Sequence, residues 1–237
     1  MKARLARSGS IVMVVATAVA SGALPVLNAP DVGAASSKTA SLVVQAKRSL
    51  FALSDMPKGW TSSKSSNNNS SFPGADQLAS CLGIPVSVVN SHPPSADSPD
   101  YNSADQLQTV SDTVSIYPSA KAARKVFAAE ANPRTPSCLT TVLNGTSKAT
   151  LESGFGAGTS VGTIAVTRSP ASKFAPHATN FTALLPVTSQ GVTLNVQLTV
   201  VTFVKGKVEQ SVTLISVQGS FPATLARRLT ALAASRI

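Results

Sequence analysis

Two cysteines, two histidines and one Gly-x-Ser-x-Gly stretch are the residues of this chain best suited to chemistry. Cys81 and Cys138 are its only cysteines, and in an oxidising compartment an even count predicts a bridge between them. Two buried free thiols or half of a metal site are the competing readings. With no CxxC pair and no clustered histidines, a zinc site is poorly supported, and no cofactor or metal is expected. Gly158-Thr159-Ser160-Val161-Gly162 has the hydrolase pattern. That motif needs a strand before it and a helix after it, so that the serine sits on an exposed turn. Here glycines precede Ser160, and Thr163-Ile164-Ala165-Val166 after it reads as strand. The only acid beyond Ser160 is Glu209, which follows His177 and so breaks the usual order. The favoured reading is small residues at a strand start, with a secreted serine hydrolase using Ser160 and His177 as the alternative.

Other candidates have similarly plain explanations. Gly154, Gly156 and Gly158 suggest a phosphate loop, but such a loop presents a helix N-terminus to the anion, and a strand follows here. His92 with Asp97 and Asp100 lies in a Pro- and Ser-rich stretch that reads as a solvated turn. Asn69, Asn144 and Asn180 begin Asn-x-Ser/Thr sequons, which arise by chance in so Ser/Thr-rich a chain. The contacts assigned to a ligand or anion are Trp60 and Phe72, which flank a Ser/Asn tract, and Lys121 and Lys125, which share one helix face.

The N-terminus bounds the compartment. Lys2, Arg4 and Arg7 precede an apolar run of about 14 residues, Ile11 to Leu24, and small residues follow at Gly33, Ala34 and Ala35. Charge, apolar run and small-residue site in that order predict a secretory signal peptide over 1–35, cleaved at Ala34 or Ala35. The run is short of the roughly 20 residues of a membrane-spanning helix, so no stable membrane anchor is expected after cleavage. Residues 36–40 read as a short flexible start, and 41–237 as a single domain. Charged residues are 13% of the chain, about half the usual share. The formal net charge is +10, of which about +8 remains after the leader. For an exported protein this charge points to an envelope lipid or anionic polymer, or serves solubility alone; nucleic acid is not expected.

The elements that must position these residues follow from periodicity. Leu42, Val43, Ala46, Leu50 and Leu53 predict an amphipathic helix over 41–53. Thr61–Ser71 and His92–Ala104 read as loops, with a short helix between them, capped by Asp76 and bearing Cys81. A strand is expected over Thr109–Tyr117, a helix from Ser119 to Glu130, and a helical turn over Ser137–Leu143. Strands are expected over Thr159–Arg168, Thr179–Val187, Val192–Val204 and Val208–Gln218, then a final helix after Pro222. Keeping the Val192–Val204 apolar face against other apolar residues selects a three-residue turn, with Val204 opposite Val208 and Val200 opposite Val212. The order implies an α+β fold, an antiparallel β-sheet with helices packed on one face.

Leu53-Ser54-Asp55-Met56-Pro57-Lys58-Gly59-Trp60, Cys81-Leu82-Gly83, Ser115-Ile116-Tyr117 and Cys138-Leu139 together carry a likeness. The arrangement resembles the extracellular sensor-like domains of PknH-type mycobacterial kinases and related exported actinobacterial proteins. The resemblance implies an antiparallel sheet with flanking helices, an apolar or mixed cleft, binding without catalysis, and a bridge between cysteines at these two positions. The chain differs from the kinase form in having no kinase domain or membrane anchor and one bridge instead of two. The function expected is a secreted, non-enzymatic envelope-binding or sensor-like protein. Its ligand would be an apolar or anionic envelope component; a basic wall-tethered structural protein is a further alternative.

Overall fold

The alternating C-terminal segments form the centre of the fold. In the computed structural model, which describes residues 32–65, 74–146, 148–155, 158–169 and 177–237, they are three long neighbouring strands. The strands are β1 (Thr61–Ser63), β2 (Ser95–Asp97), β3 (Asp100–Asn102), β4 (Gln108–Ile116), β5 (Thr159–Val161), β6 (Ala165–Arg168), β7 (Ala178–Ser189), β8 (Val192–Lys205) and β9 (Val208–Val217). The helices are α1 (Val32–Lys47), α2 (Ala75–Leu82), α3 (Val86–Val89), α4 (Ala120–Glu130), α5 (Thr135–Asn144), α6 (Lys148–Phe155) and α7 (Ala223–Arg236). Among the described residues the strands make one sheet in the order β1-β3-β4-β9-β8-β7-β5, with β2 on β4 and β6 on β7. Every pairing is antiparallel. The α+β class and the Cys81–Cys138 bridge are as expected, with an S–S distance of 2.01 Å.

Helices cover both faces of the sheet. On one face Leu143 of α5 and Leu151 of α6 pack with Val196, Leu198, Val200 and Ile215. On the other, Leu229 and Ala233 of α7 pack with Val201, Phe203, Val212 and Leu214. Ala46 of α1 joins Val114 and Ile116 on that second face.

This double cover corrects the register. The β8–β9 turn is two residues long, with Lys205 opposite Val208, Val204 opposite Glu209 and Val200 opposite Thr213. Gly206 has φ +61°, the left-handed backbone that a two-residue hairpin turn favours. The expected pairing assumed one greasy face, but residues 200–204 are all buried, so alternation carries no preference there.

Other differences have local causes. The first helix stops at Lys47 because tertiary contacts capture the chain beyond it. The Phe51 N–H donates to Asp112 Oδ1 at 3.1 Å, and the Tyr101 hydroxyl donates to the Phe51 carbonyl at 2.7 Å. Residues 36–40, read as a flexible start, lie within α1, and most of the leader, 1–31, lies outside the described residues. Thr61–Ser63 and parts of 92–104, read as loops, are the short strands β1, β2 and β3 on one side of the sheet. Asp76 is in the first turn of α2, whose N-cap is Gly74. Helix α6 has no counterpart among the expected elements. The Thr159–Arg168 strand breaks in two at Gly162, whose N–H donates to the Pro186 carbonyl at 2.7 Å. A Cβ there would meet Pro186 Cβ at 3.1 Å, so the close approach needs glycine.

The disulfide joins α2 to α5, 57 residues apart in sequence. Closing such a loop restricts the unfolded chain by about 4 kcal/mol in the loop-entropy description. Replacing both cysteines with serine is therefore expected to lower unfolding stability by about that amount. Urea denaturation checks this; a loss below about 1 kcal/mol would mean that the bond does not constrain the chain.

Candidate functional site

The two tied helices roof a cavity. Leu78 and Leu82 of α2, Val88 and Val89 of α3, and Leu139 of α5 form its outer wall. Phe181, Val200 and Ser115 of the sheet form its floor, and Val126 and Ala129 of α4 close one side. The volume is about 170 Å³ and the cavity is partly open to solvent. Cavities near 150 Å³ with apolar walls hold a benzene-sized molecule.

Two carboxyls interrupt this apolar wall. Glu209 projects from β9, on the sheet face of Val204 and Ser115, and is 8% exposed. Glu130 is the last residue of α4, a helix whose N-cap Ser119 accepts from the Ala122 N–H at 3.1 Å. The Thr135 hydroxyl donates to the Ala129 carbonyl at 2.9 Å and fixes the end of α4 against α5. Thr202 hydrogen-bonds the Glu130 carboxyl and shares a 3.0 Å bond with Ser211. Glu130 Oε2 is shielded from solvent and has no hydrogen-bond partner. The Tyr117 hydroxyl donates to Glu209 across 3.3 Å to Oε1 and 3.4 Å to Oε2.

Burial dominates the titration of these groups. It pushes Glu130 up to about 7. Glu209 is raised well above the ordinary carboxyl range, first by burial and then by the neighbouring Glu130 charge. Tyr117 is raised too, by burial and by both carboxylates, so it remains a neutral donor. The lining residues include no Lys, Arg or His to neutralise the pair.

The residues singled out in the sequence lie elsewhere. Trp60 is half-buried against the Phe51–Phe203–Leu229 cluster on the second sheet face. Phe72 lies outside the described residues, as do Asn69 and Gly156. Lys121 and Lys125 are exposed on α4 and do not line the cavity, although Glu130 of the same helix does.

Ser160 and His177 do not meet. Ser160 is on β5 opposite Thr188, whereas His177 immediately precedes the other end of β7. Eleven residues of strand separate those levels, roughly 35 Å. His177 stacks edge-on against Phe127, 6.1 Å between centroids, and its carbonyl accepts from the Val204 N–H at 3.0 Å. The hydrolase reading through this pair is thereby excluded. Asn144 is a clasp: its amide donates to the Ile164 carbonyl at 2.7 Å and accepts from the Ile164 N–H at 2.8 Å. Neither ring nitrogen of His92 has a partner, and burial lowers its pKa. Asp97 accepts from the Thr113 hydroxyl at 2.6 Å. Among the described residues no group of three or more His, Cys, Asp or Glu side chains is placed to hold a metal.

Glu130 and Glu209 were missed as site residues, yet each left a trace in the sequence. Glu130 falls seven, four and three residues after Ala123, Val126 and Phe127, on the helix stripe that faces the protein. Glu209 is the one acid in the sequence after Glu152, in a chain with only ten acids.

No family model matches this chain, and no curated protein matches it. Among solved structures it is similar to the extracellular domain of PknH from Mycobacterium tuberculosis, at 12% identity and a TM-score of 0.32. The match covers 58% of this chain and 61% of that domain, so the chain spans about three-fifths of that neighbour's length. A likeness of that size is weak and at fold level only. Among the described residues no helix is long and apolar enough to cross a membrane.

The raised acids set a pH dependence. A carboxyl with a folded pKa above its unfolded value of 4.5 favours the fold while protonated. That contribution is present below about 4.5 and is lost as pH rises through the folded pKa. Burial raises Asp112 to about 6 and acts in the same direction. His92, lowered by burial, acts oppositely, and one imidazole does not offset three acids. Melting temperature is therefore expected to fall between pH 5 and pH 8. In Glu209→Gln it should rise at pH 8 and stay unchanged at pH 5. A calorimetric profile that is flat over this range, or unaltered by the substitution, would contradict the burial of these charges.

Proposed function

We propose that this chain is an extracytoplasmic, non-enzymatic binding protein that holds the apolar part of a small envelope component between its sheet and its tied helices. The carrying observation is the cavity of about 170 Å³ under α2 and α5, whose walls are more apolar than polar, with Leu and Val foremost. The disulfide supports a place in an oxidising compartment, and the leader-like N-terminus supports export. The cavity's polar groups are two acids and several hydroxyls. The two acids weigh against an anion inside the cavity. Lys121, Arg124 and Lys125, exposed on α4, are the place where an anionic wall polymer would engage the surface.

Toluene is a suitable minimal probe of the apolar chamber. It is expected to raise the melting temperature of the oxidised protein in a concentration-dependent way. Ala129→Phe, which places a ring in the chamber, should abolish that rise. A rise of the same size in Ala129→Phe, or none in the wild-type protein, would overturn the proposed site.

A further inference from the structure

The cavity has polar groups of one electrical character. Glu130 and Glu209 enter it from different elements, one from α4 and one from β9, while Tyr117, just after β4, is the remaining titratable group that lines it. The lining parts of α2, α3, α5, β7 and β8 carry no ionisable side chain. His92 faces an adjoining hollow with Pro93, Pro94 and Lys207. Glu130 Oε2 thus lacks a donor from the protein, and the Tyr117 hydroxyl supplies Glu209 with only a long, divided hydrogen bond. A buried acceptor without a donor carries a desolvation cost of about 1–3 kcal/mol, which a ligand's N–H would relieve.

The chemistry of the missing donor can be narrowed. A carboxylate ligand would add a third acid to the pair. A hard divalent cation needs six or more oxygen ligands or its retained waters, and these walls are mostly hydrocarbon. A hydroxyl has one proton to give and brings no charge to balance a carboxylate. A primary ammonium has three N–H donors and one positive charge, which suits two carboxyls and the Thr202 and Ser211 hydroxyls beside them. The volume limits its body to about one ring or a short branched chain.

We propose that the cavity selects a protonated primary amine carried on a ring-sized apolar body, with Glu130 and Glu209 receiving the ammonium. The inference rests on the cavity being the binding site. Below neutral pH the ammonium enters a site whose acids hold protons, so binding converts a carboxyl to a carboxylate and releases its proton to solvent. About one proton leaves per amine bound, so affinity falls about tenfold for each pH unit below neutrality.

Benzylamine, toluene and benzoate, titrated calorimetrically into the oxidised full chain, separate the outcomes. Benzylamine is expected to bind at least tenfold more tightly than toluene at pH 7, and benzoate not at all. At pH 6, buffers of different ionisation enthalpy should reveal the released proton. Glu130→Gln should lower benzylamine affinity more than tenfold and leave toluene affinity unchanged, with Glu209→Gln as the second variant if the first does not fold. Toluene binding without a benzylamine preference, or a preference that survives both variants, would overturn the amine inference alone. Failure of both toluene and benzylamine to bind would overturn the cavity reading along with it.

Discussion

The covalent bond between Cys81 and Cys138 holds the arrangement on which the site depends. Helices α2 and α5 are eight and ten residues long, shorter than helices that persist on their own in water. They bury Leu78, Leu82, Leu139 and Val142 against one another around the bond, with Val166 of β6 packed alongside. Joined in this way, the pair roofs the cavity over Val200 and Thr202, while Leu143 near the C-terminal end of α5 packs onto the sheet. The chamber between roof and sheet is thus a consequence of where the chain is tied, and the acids on its floor and side inherit their low-dielectric surroundings from it.

Buried acids serve two different purposes in this molecule. Asp112 is 2% exposed on β4, yet it is fully provided with donors. It accepts from the Phe51 N–H at 3.1 Å and from Gln210 Nε2 at 2.8 Å. It anchors the chain after α1 to the sheet. At the opposite end of that segment Arg236 of α7 binds Asp55 across 2.8 Å and donates to the Leu50 carbonyl at 2.9 Å. Burial works against ionisation of Asp55, but the Arg236 and Ala52 hydrogen bonds outweigh it and hold the carboxyl below its ordinary pKa. Glu130 differs from both in having an oxygen that no protein donor reaches. A satisfied acid holds the fold together, whereas an unsatisfied one beside a chamber invites a ligand's donor.

Much of the fold could be read from residue order. The two-residue period of Val192–Val204 marks β8, Ser119 marks the start of α4, and an isolated cysteine pair marks the bridge. The short strands β1, β2 and β3 could not be read, because their Ser, Asp and Asn residues carry no apolar alternation and are held by pairing alone. The β8–β9 register was illegible for the opposite reason, since both faces of β8 near Lys205 are covered. The site was hidden because its acids come from α4 and β9, 79 residues apart, and only the sheet register brings Glu209 to the face beneath Glu130. Attention to Trp60, Lys121 and Lys125 followed residue type and exposure, which do not report on an interior chamber.

Methyl-resolved NMR of the oxidised protein during a toluene titration tests the central claim most directly, because it shows where on the molecule an apolar probe resides. The account predicts that the methyl signals of Val126, Leu139 and Val200 shift first and saturate together, while those near Lys121 and Trp60 stay still. Shifts concentrated around Trp60 or the exposed face of α4, with Val126, Leu139 and Val200 unmoved, would contradict it.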